Sequence, residues 1–301
     1  MKYWLSVLLS CVFLQGFSQD YFDIANFTYT NTPPNDFEIS NAQTTVEELA
    51  FEFNFPILIN DKTVLLTGMF TNKTRLRVAS TIPKLNLNVF GLNLGINKTF
   101  NDKWSGTFLV FPKLASEKIT FTNDNFQIAL LSLFTNKKRN DLKYKYGLYA
   151  NTERFGLIIV PIVGLYYLSP NKKFEANLNL PINADLNYEL NNKLWLGMKF
   201  DGLGTTYNLN KQNYSSSVGS YVSKTSNETL GYLRIKLNKS LYINAEFGYA
   251  ISRNYRVYRS DDKIDLALVS FYLGDDREQL NERFQDGVIF KVELLYRLHF
   301  D

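Results

Sequence analysis

One histidine, His299, stands two residues from the end of a 301-residue chain, and it limits the chemistry open to this sequence. Hydrolytic sites of the serine type need a histidine base held against a nucleophile and oriented by an acid. His299 sits in an alternating apolar/polar stretch without such company and reads as a polar residue of a strand. The paired carboxylates Asp261-Asp262 and Asp275-Asp276 have the chemistry to bind calcium or to act as acid and base. Their surroundings supply no further ligand spacing, so they read as solvated loop charge. Lys137-Lys138-Arg139 reads the same way, as a solvated turn. The sole cysteine, Cys11, lies in an N-terminal apolar run, which leaves no thiolate for zinc and no disulfide in the rest of the chain. A glycine-rich phosphate loop is missing as well. The expectation is a chain with no catalytic residue, no metal and no cofactor.

The charges that remain follow a pattern. Net charge is +4, too near neutral for a nucleic-acid partner. Charged side chains recur at every second position, opposite apolar faces. Glu48, Glu52, Lys143 and Lys145 do so in the first half. Lys199, Asp201, Arg234 and Lys236 follow, and then Glu246, Lys291, Glu293 and Arg297. A dry core would hold so many ions only if each were paired, whereas a hydrated or salt-bridged lumen accommodates them. These twelve are the candidate lumen-lining residues. Their mixed signs predict neither cation nor anion preference.

The elements that carry them have a period of two. Leu49, Phe51, Phe53, Phe55, Ile57 and Ile59 form one face against Glu48, Glu52 and Asn54. The last stretch is the longest of this kind: Val288, Phe290, Val292, Leu294, Tyr296, Leu298 and Phe300 alternate with a largely charged face. Such alternation marks strands, and no segment keeps a helical period for more than two turns. Short connections built from Asn and Lys recur at residues 60–62, 101–103, 136–141, 170–173, 191–193 and 238–240, where Asn and Asp favour tight turns. The alternate connections, at 31–45, 72–84, 112–125, 207–227 and 256–286, are long. Short turns at one end and long loops at the other are the asymmetry of outer-membrane barrels. With both chain ends on the short-turn side the strand number must be even. Read as a hairpin turning at Pro181-Ile182-Asn183, residues 174–190 give fourteen strands; read as one strand they give twelve. Pro56 and Pro161 fall inside apparent strands, so each is expected at a bulge or near the rim.

Residues 1–18 read as a signal peptide: Lys2, an apolar run from Tyr3 to Leu14, then Gly16 and Ser18 before the cleavage point. The run is too short to span a bilayer as a helix. An exported chain without an apolar helix of spanning length enters a membrane only as a closed barrel, because unpaired backbone groups are not solvated in lipid. The expected organisation is thus a signal peptide over 1–18 and an all-β, antiparallel up-and-down barrel over 19–301. Tyr296, Leu298 and Phe300, on the apolar face of the closing strand, are the candidate membrane-insertion signal.

The signal segment, the Asn/Lys turns, Pro-Ile-Val-Gly-Leu-Tyr-Tyr at 161–167, Leu-Pro-Ile-Asn-Ala-Asp-Leu-Asn-Tyr at 180–188 and the Phe-terminated last strand resemble a family of uncharacterised outer-membrane β-barrel proteins common in Bacteroidota. The resemblance implies a place in the cell outer membrane, with membrane lipid and the barrel-assembly machinery as partners. The expected function is a passive conduit for small polar solutes. The alternative is a closed structural or surface-interaction barrel acting through its long loops, with Tyr207, Tyr214 and Tyr221 as contact residues of the 207–227 loop.

Overall fold

The computed structural model describes residues 21–299 apart from residues 41, 210–218 and 284. The proposed signal segment, Tyr214 and Phe300 therefore lie outside the described residues. The strands are β1 (Tyr21–Asn31), β2 (Asn35–Asp36), β3 (Gln43–Thr44), β4 (Glu47–Asn60), β5 (Thr63–Leu76) and β6 (Leu85–Thr99). They continue with β7 (Trp104–Ser116), β8 (Phe126–Arg139), β9 (Leu142–Glu153), β10 (Gly156–Leu168), β11 (Phe174–Leu180) and β12 (Asn183–Asn191). The last six are β13 (Leu194–Asn208), β14 (Ser220–Lys236), β15 (Leu241–Arg259), β16 (Leu266–Leu268), β17 (Phe271–Leu273) and β18 (Gly287–His299). β2 pairs only with β3, and β16 and β17 are appended to β10. The other fourteen close into one antiparallel ring, sealed where β18 pairs with both β1 and β15.

Alternation decides which face each side chain takes. Phe55, Leu148, Met198, Phe247 and Val292, all on apolar faces, are exposed around the outside of the ring. A girdle of this extent would be unfavourable in water. The short turns owe their shape to asparagine. The side chains of Asn60, Asn101, Asn171, Asn191 and Asn238 each accept a bond from the backbone N–H two residues on. That closes the turn locally, which is why Asn recurs there.

The hairpin at Pro181-Ile182 is present, so the strand count is fourteen and not twelve. Its arms are short, seven residues in β11 and nine in β12. Their neighbours are thirteen and fifteen residues long. β11 pairs with β10 only from Val163 to Leu168, and β12 leaves β13 after Asp201. Above the hairpin, therefore, no strand of the ring lies between β10 and β13, and only the short β16–β17 strap stands beside β10 there. This explains Pro161 differently from the sequence-based expectation. It lies at neither a bulge nor the rim, but on a stretch of β10 with a partner strand on one side only. Pro56 is likewise beyond the last pair between β4 and β1, at Phe53. A missing N–H is tolerated where no ladder asks for it.

The long loops are shorter than the sequence suggests, because strands run into them. β13 and β14 take up both ends of residues 207–227, and Tyr207 and Tyr221 are fully buried, not loop contacts. Their burial has a topological cause. β13 keeps one register with β14 from Leu194 to Asn208, so Tyr207 points to the inner face and Thr206 to the outer. Tyr207 packs against Leu76, Leu87 and Val89, inner-face residues of β5 and β6. Thr206 meets Gln127 and Glu153, inner-face residues of β8 and β9. Both faces of upper β13 are thus covered by the inside of the barrel. The upper ends of β13 to β15 run through the lumen as a partition.

Candidate functional site

The interior is built in three levels. At the lower level, near the short turns, charged side chains cross-link the wall. Lys199 on β13 reaches Glu246 on β15 at 2.8 Å and Glu293 on β18 at 2.7 Å. Asn26 and Asn244 each donate to Glu293 at 2.5 Å. Lys291 pairs with Glu228 at 2.5 Å and stands 4.0 Å from Asp201. Arg297 holds Asp23 at 2.6 Å and lies over the Tyr21 ring. Tyr21 in turn donates to Glu175 at 2.9 Å, from β1 to β11 across the lumen. Arg234 bonds Asn244 and stands 3.6 Å from Asp185. Lys145 donates to Asn177, Lys143 lies over Tyr166 and Lys236 over Tyr242. Low dielectric strengthens each pair, while the desolvation of its ions offsets much of that gain.

All twelve candidate lumen residues take the inner face. Glu48 pairs with Lys224 at 2.8 Å, and Glu52 accepts bonds from Asn54 and Asn93. The structure brings Lys199, Asp201, Glu246, Lys291 and Glu293 into one network and leaves Lys143, Lys145 and Glu52 apart from it. His299 bonds the Tyr242 hydroxyl through Nε2 at 2.9 Å. Gly197 shares this inner face for a steric reason: a Cβ there would come within 2.2 Å of the Tyr232 ring.

At the upper level, away from the short turns, a dry cluster packs inside the wall. Leu76, Val78 and Leu87 from one side meet Tyr207, Val222 and Val257 from the partition, all essentially without solvent exposure. A second cluster joins Phe155, Tyr221, Tyr258, Ile264 and Ala267. Arg277 seals its edge, stacked over Phe155, Tyr258 and Tyr272 and bonded to the Tyr221 hydroxyl. Asp275 grips the same guanidinium with both oxygens, which holds its carboxyl below the usual carboxylate range. Asp261 is likewise paired, with Arg259 at 2.8 Å.

Between the two levels lie cavities. One, of about 440 Å³, is bounded by inner-face residues of β7 to β10, among them Phe111, Leu131, Tyr149 and Val160. Its opposite side is the outer face of the partition: Phe200, Gly202, Gly204, Thr225 and Asn227. Pro181 and Ile182 form its sill, and Val269, Ser270 and Tyr272 overhang it. A second, of about 220 Å³, is lined by Glu52, Asn54, Asn93 and Leu109 and shares Phe111 with the first. Mainly apolar lining of this kind holds a small molecule by shape, with a few polar groups to orient it. Among the described residues no group of three metal-ligating side chains comes together.

Sequence reasoning missed this larger cavity. A signal was present in the outer faces of β13 and β14, where the apolar series ends at Phe200. Gly202, Gly204 and Thr206 follow it on β13, and Ser223, Thr225 and Asn227 lie alongside on β14. Polar and bare positions where lipid should lie imply that something other than lipid covers them.

Over residues 13–266 the chain matches the family described as "Domain of unknown function (DUF6268)", and it belongs to that family. No curated protein matches it in sequence. Among solved structures it is similar to the COG4313 outer membrane channel from Pseudomonas putida F1, at 8% identity and a TM-score of 0.47, covering 92% of this chain and 95% of that one. A FadL homologue from Pseudomonas aeruginosa follows at 11% identity, TM-score 0.39, with 90% and 88% covered. The translocator domain of autotransporter NalP from Neisseria meningitidis gives 10%, 0.38, 92% and 89%. Identities this low say nothing of a shared solute.

Proposed function

We propose that this member of the DUF6268 family stands in the bacterial outer membrane as a narrow conduit for small solutes and is not an enzyme. The observation that carries this reading is the pairing of an apolar girdle on a closed fourteen-strand wall with cavities of about 440 and 220 Å³ inside it. The girdle supports lipid as the surrounding partner, and a chain that must close β18 against β1 in a membrane would call on the barrel-assembly machinery. A conduit for polar solutes, as the charged inner faces suggest, would run past ion pairs already satisfied by one another. Passage along the axis would then require the Tyr21–Glu175 and Lys224–Glu48 contacts to shift, which favours slow, small-solute movement over an ion-selective pore.

The dry cluster around Tyr207 and Val222 favours a second reading, a barrel that stays shut and serves the envelope structurally. Planar-bilayer recording separates the two. The conduit reading expects small, discrete conductance steps and swelling of protein-loaded liposomes in small sugars or amino acids. Electrical silence across salts and voltages, together with no swelling, would leave the closed barrel.

A further inference from the structure

We infer that the gap in the wall above the β11–β12 hairpin is a lipid-side entrance to a binding site for a small, uncharged, mainly apolar molecule carrying a hydroxyl or carbonyl group. The inference deepens the conduit reading and shares its premise that the wall stands in lipid.

The gap follows from strand lengths. Leu180 ends β11 opposite Val163, yet β10 continues from Ile162 back to Gly156. The outward side chains of β10, Leu157, Ile159, Pro161, Val163, Leu165 and Tyr167, are all apolar, so its lipid-facing stretch spans the whole strand. Val163 lies at the middle of that stretch and is 63% exposed. The sill at Pro181 is therefore at mid-bilayer, and the gap opens toward the leaflet on the long-loop side. β16 and β17 occupy part of it. β16 pairs in parallel with Ile158 and Ile159, and the Val269 N–H donates to the Ile159 carbonyl at 3.0 Å. Leu268, Phe271 and Leu273 on this strap are exposed, as expected of side chains that meet acyl chains.

Behind the gap lies the 440 Å³ cavity, and its lining sets the ligand class. Phe111, Leu131 and Val160 offer an apolar wall from the inner face of the barrel. Thr225 and Asn227, half-buried on the outer face of β14, offer neutral hydrogen-bonding groups. The charges at the margin are spoken for: Glu153 is held by Lys113 at 3.2 Å, and Lys224 by Glu48. A charged ligand would enter without a counter-ion, which is unfavourable in such a site. The glycines make the room. A Cβ at Gly202 would come within 2.8 Å of the Pro181 carbonyl oxygen, so that position must stay bare for the hairpin to close against β13. A Cβ at Gly204 meets only the Lys224 carbonyl oxygen, at 4.0 Å, and so points into open space.

That difference supplies a clean test. Gly204→Leu adds a side chain to the cavity without a backbone clash, and the barrel should fold as before. With the wild-type protein in lipid nanodiscs, 1-naphthol should bind saturably, naphthalene more weakly, and 1-naphthoate at least ten-fold more weakly than 1-naphthol. Gly204→Leu should weaken 1-naphthol at least ten-fold, and Asn227→Leu should abolish the preference for 1-naphthol over naphthalene. Access is read separately. Leu131→Cys places a thiol on the inner face in a chain whose only native cysteine, Cys11, lies within the proposed signal peptide. A maleimide dissolved in the bilayer should label it, and Gly204→Leu should slow the labelling. No saturable 1-naphthol binding, binding indifferent to Gly204→Leu, equal binding of 1-naphthoate, or a Leu131→Cys thiol sealed from the bilayer-dissolved reagent would each overturn the inference. Binding without any solute flux would instead sink the conduit reading and leave the site standing.

Discussion

Lys199 shows what a charged side chain does inside this wall. It bridges two glutamates that would otherwise repel one another, Glu246 and Glu293, with only a small part of its side chain exposed. Its inward direction was legible from the alternation of β13. Its partners were not, because they lie 47 and 94 residues away in sequence, on strands two and three places along the wall. Lys199→Met leaves two buried carboxylates without their cation. It should cost about 3 kcal/mol, the lower end of the usual cost of breaking a buried pair. Urea unfolding in detergent micelles measures this. Replacing Lys199, Glu246 and Glu293 together by Met, Leu and Leu should recover most of the loss; a single change costing nothing would mean that the network contributes little.

At the scale of elements, the short hairpin was recoverable from sequence because parity demanded it: one strand over 174–190 would have put a long loop among the short turns. The partition was not recoverable. Residues 219–224 carry the serines and glycine of a polar loop, and the strand conformation from Ser220 onward is supported by packing of Val222 with β5 and β6 and of Tyr221 with Phe155 and Ile264. The consequence is testable. Deletion of residues 210–218 should leave the barrel intact, whereas deletion of 212–224 removes Tyr221, Val222 and Lys224 and should prevent folding. Tyr207→Ala should cost about 3 kcal/mol, by leaving a cavity in the dry cluster, and should raise the conductance steps by loosening the upper closure. Unchanged stability and unchanged steps would show that the cluster is not what shuts the upper end.

For the whole molecule, alternation and turn chemistry made the closed barrel legible, since they act between neighbours in sequence. What the lumen contains depends on contacts across the ring, which no local pattern encodes. The C-terminal strand ties the two together. Phe290, Val292, Leu294 and Tyr296 face outward, and Phe300 lies outside the described residues. Removing Phe300 and Asp301 should sharply lower the amount of folded protein in the membrane. In a soluble sheet the same loss would cost about half a kcal/mol or less. The most direct measurement for the account as a whole is fractionation of the native host, followed by electrophoresis with and without heating. The closed, lipid-girdled barrel predicts recovery with the outer membrane and a band that migrates faster unheated than boiled. A soluble periplasmic product whose mobility never changes on boiling would contradict it.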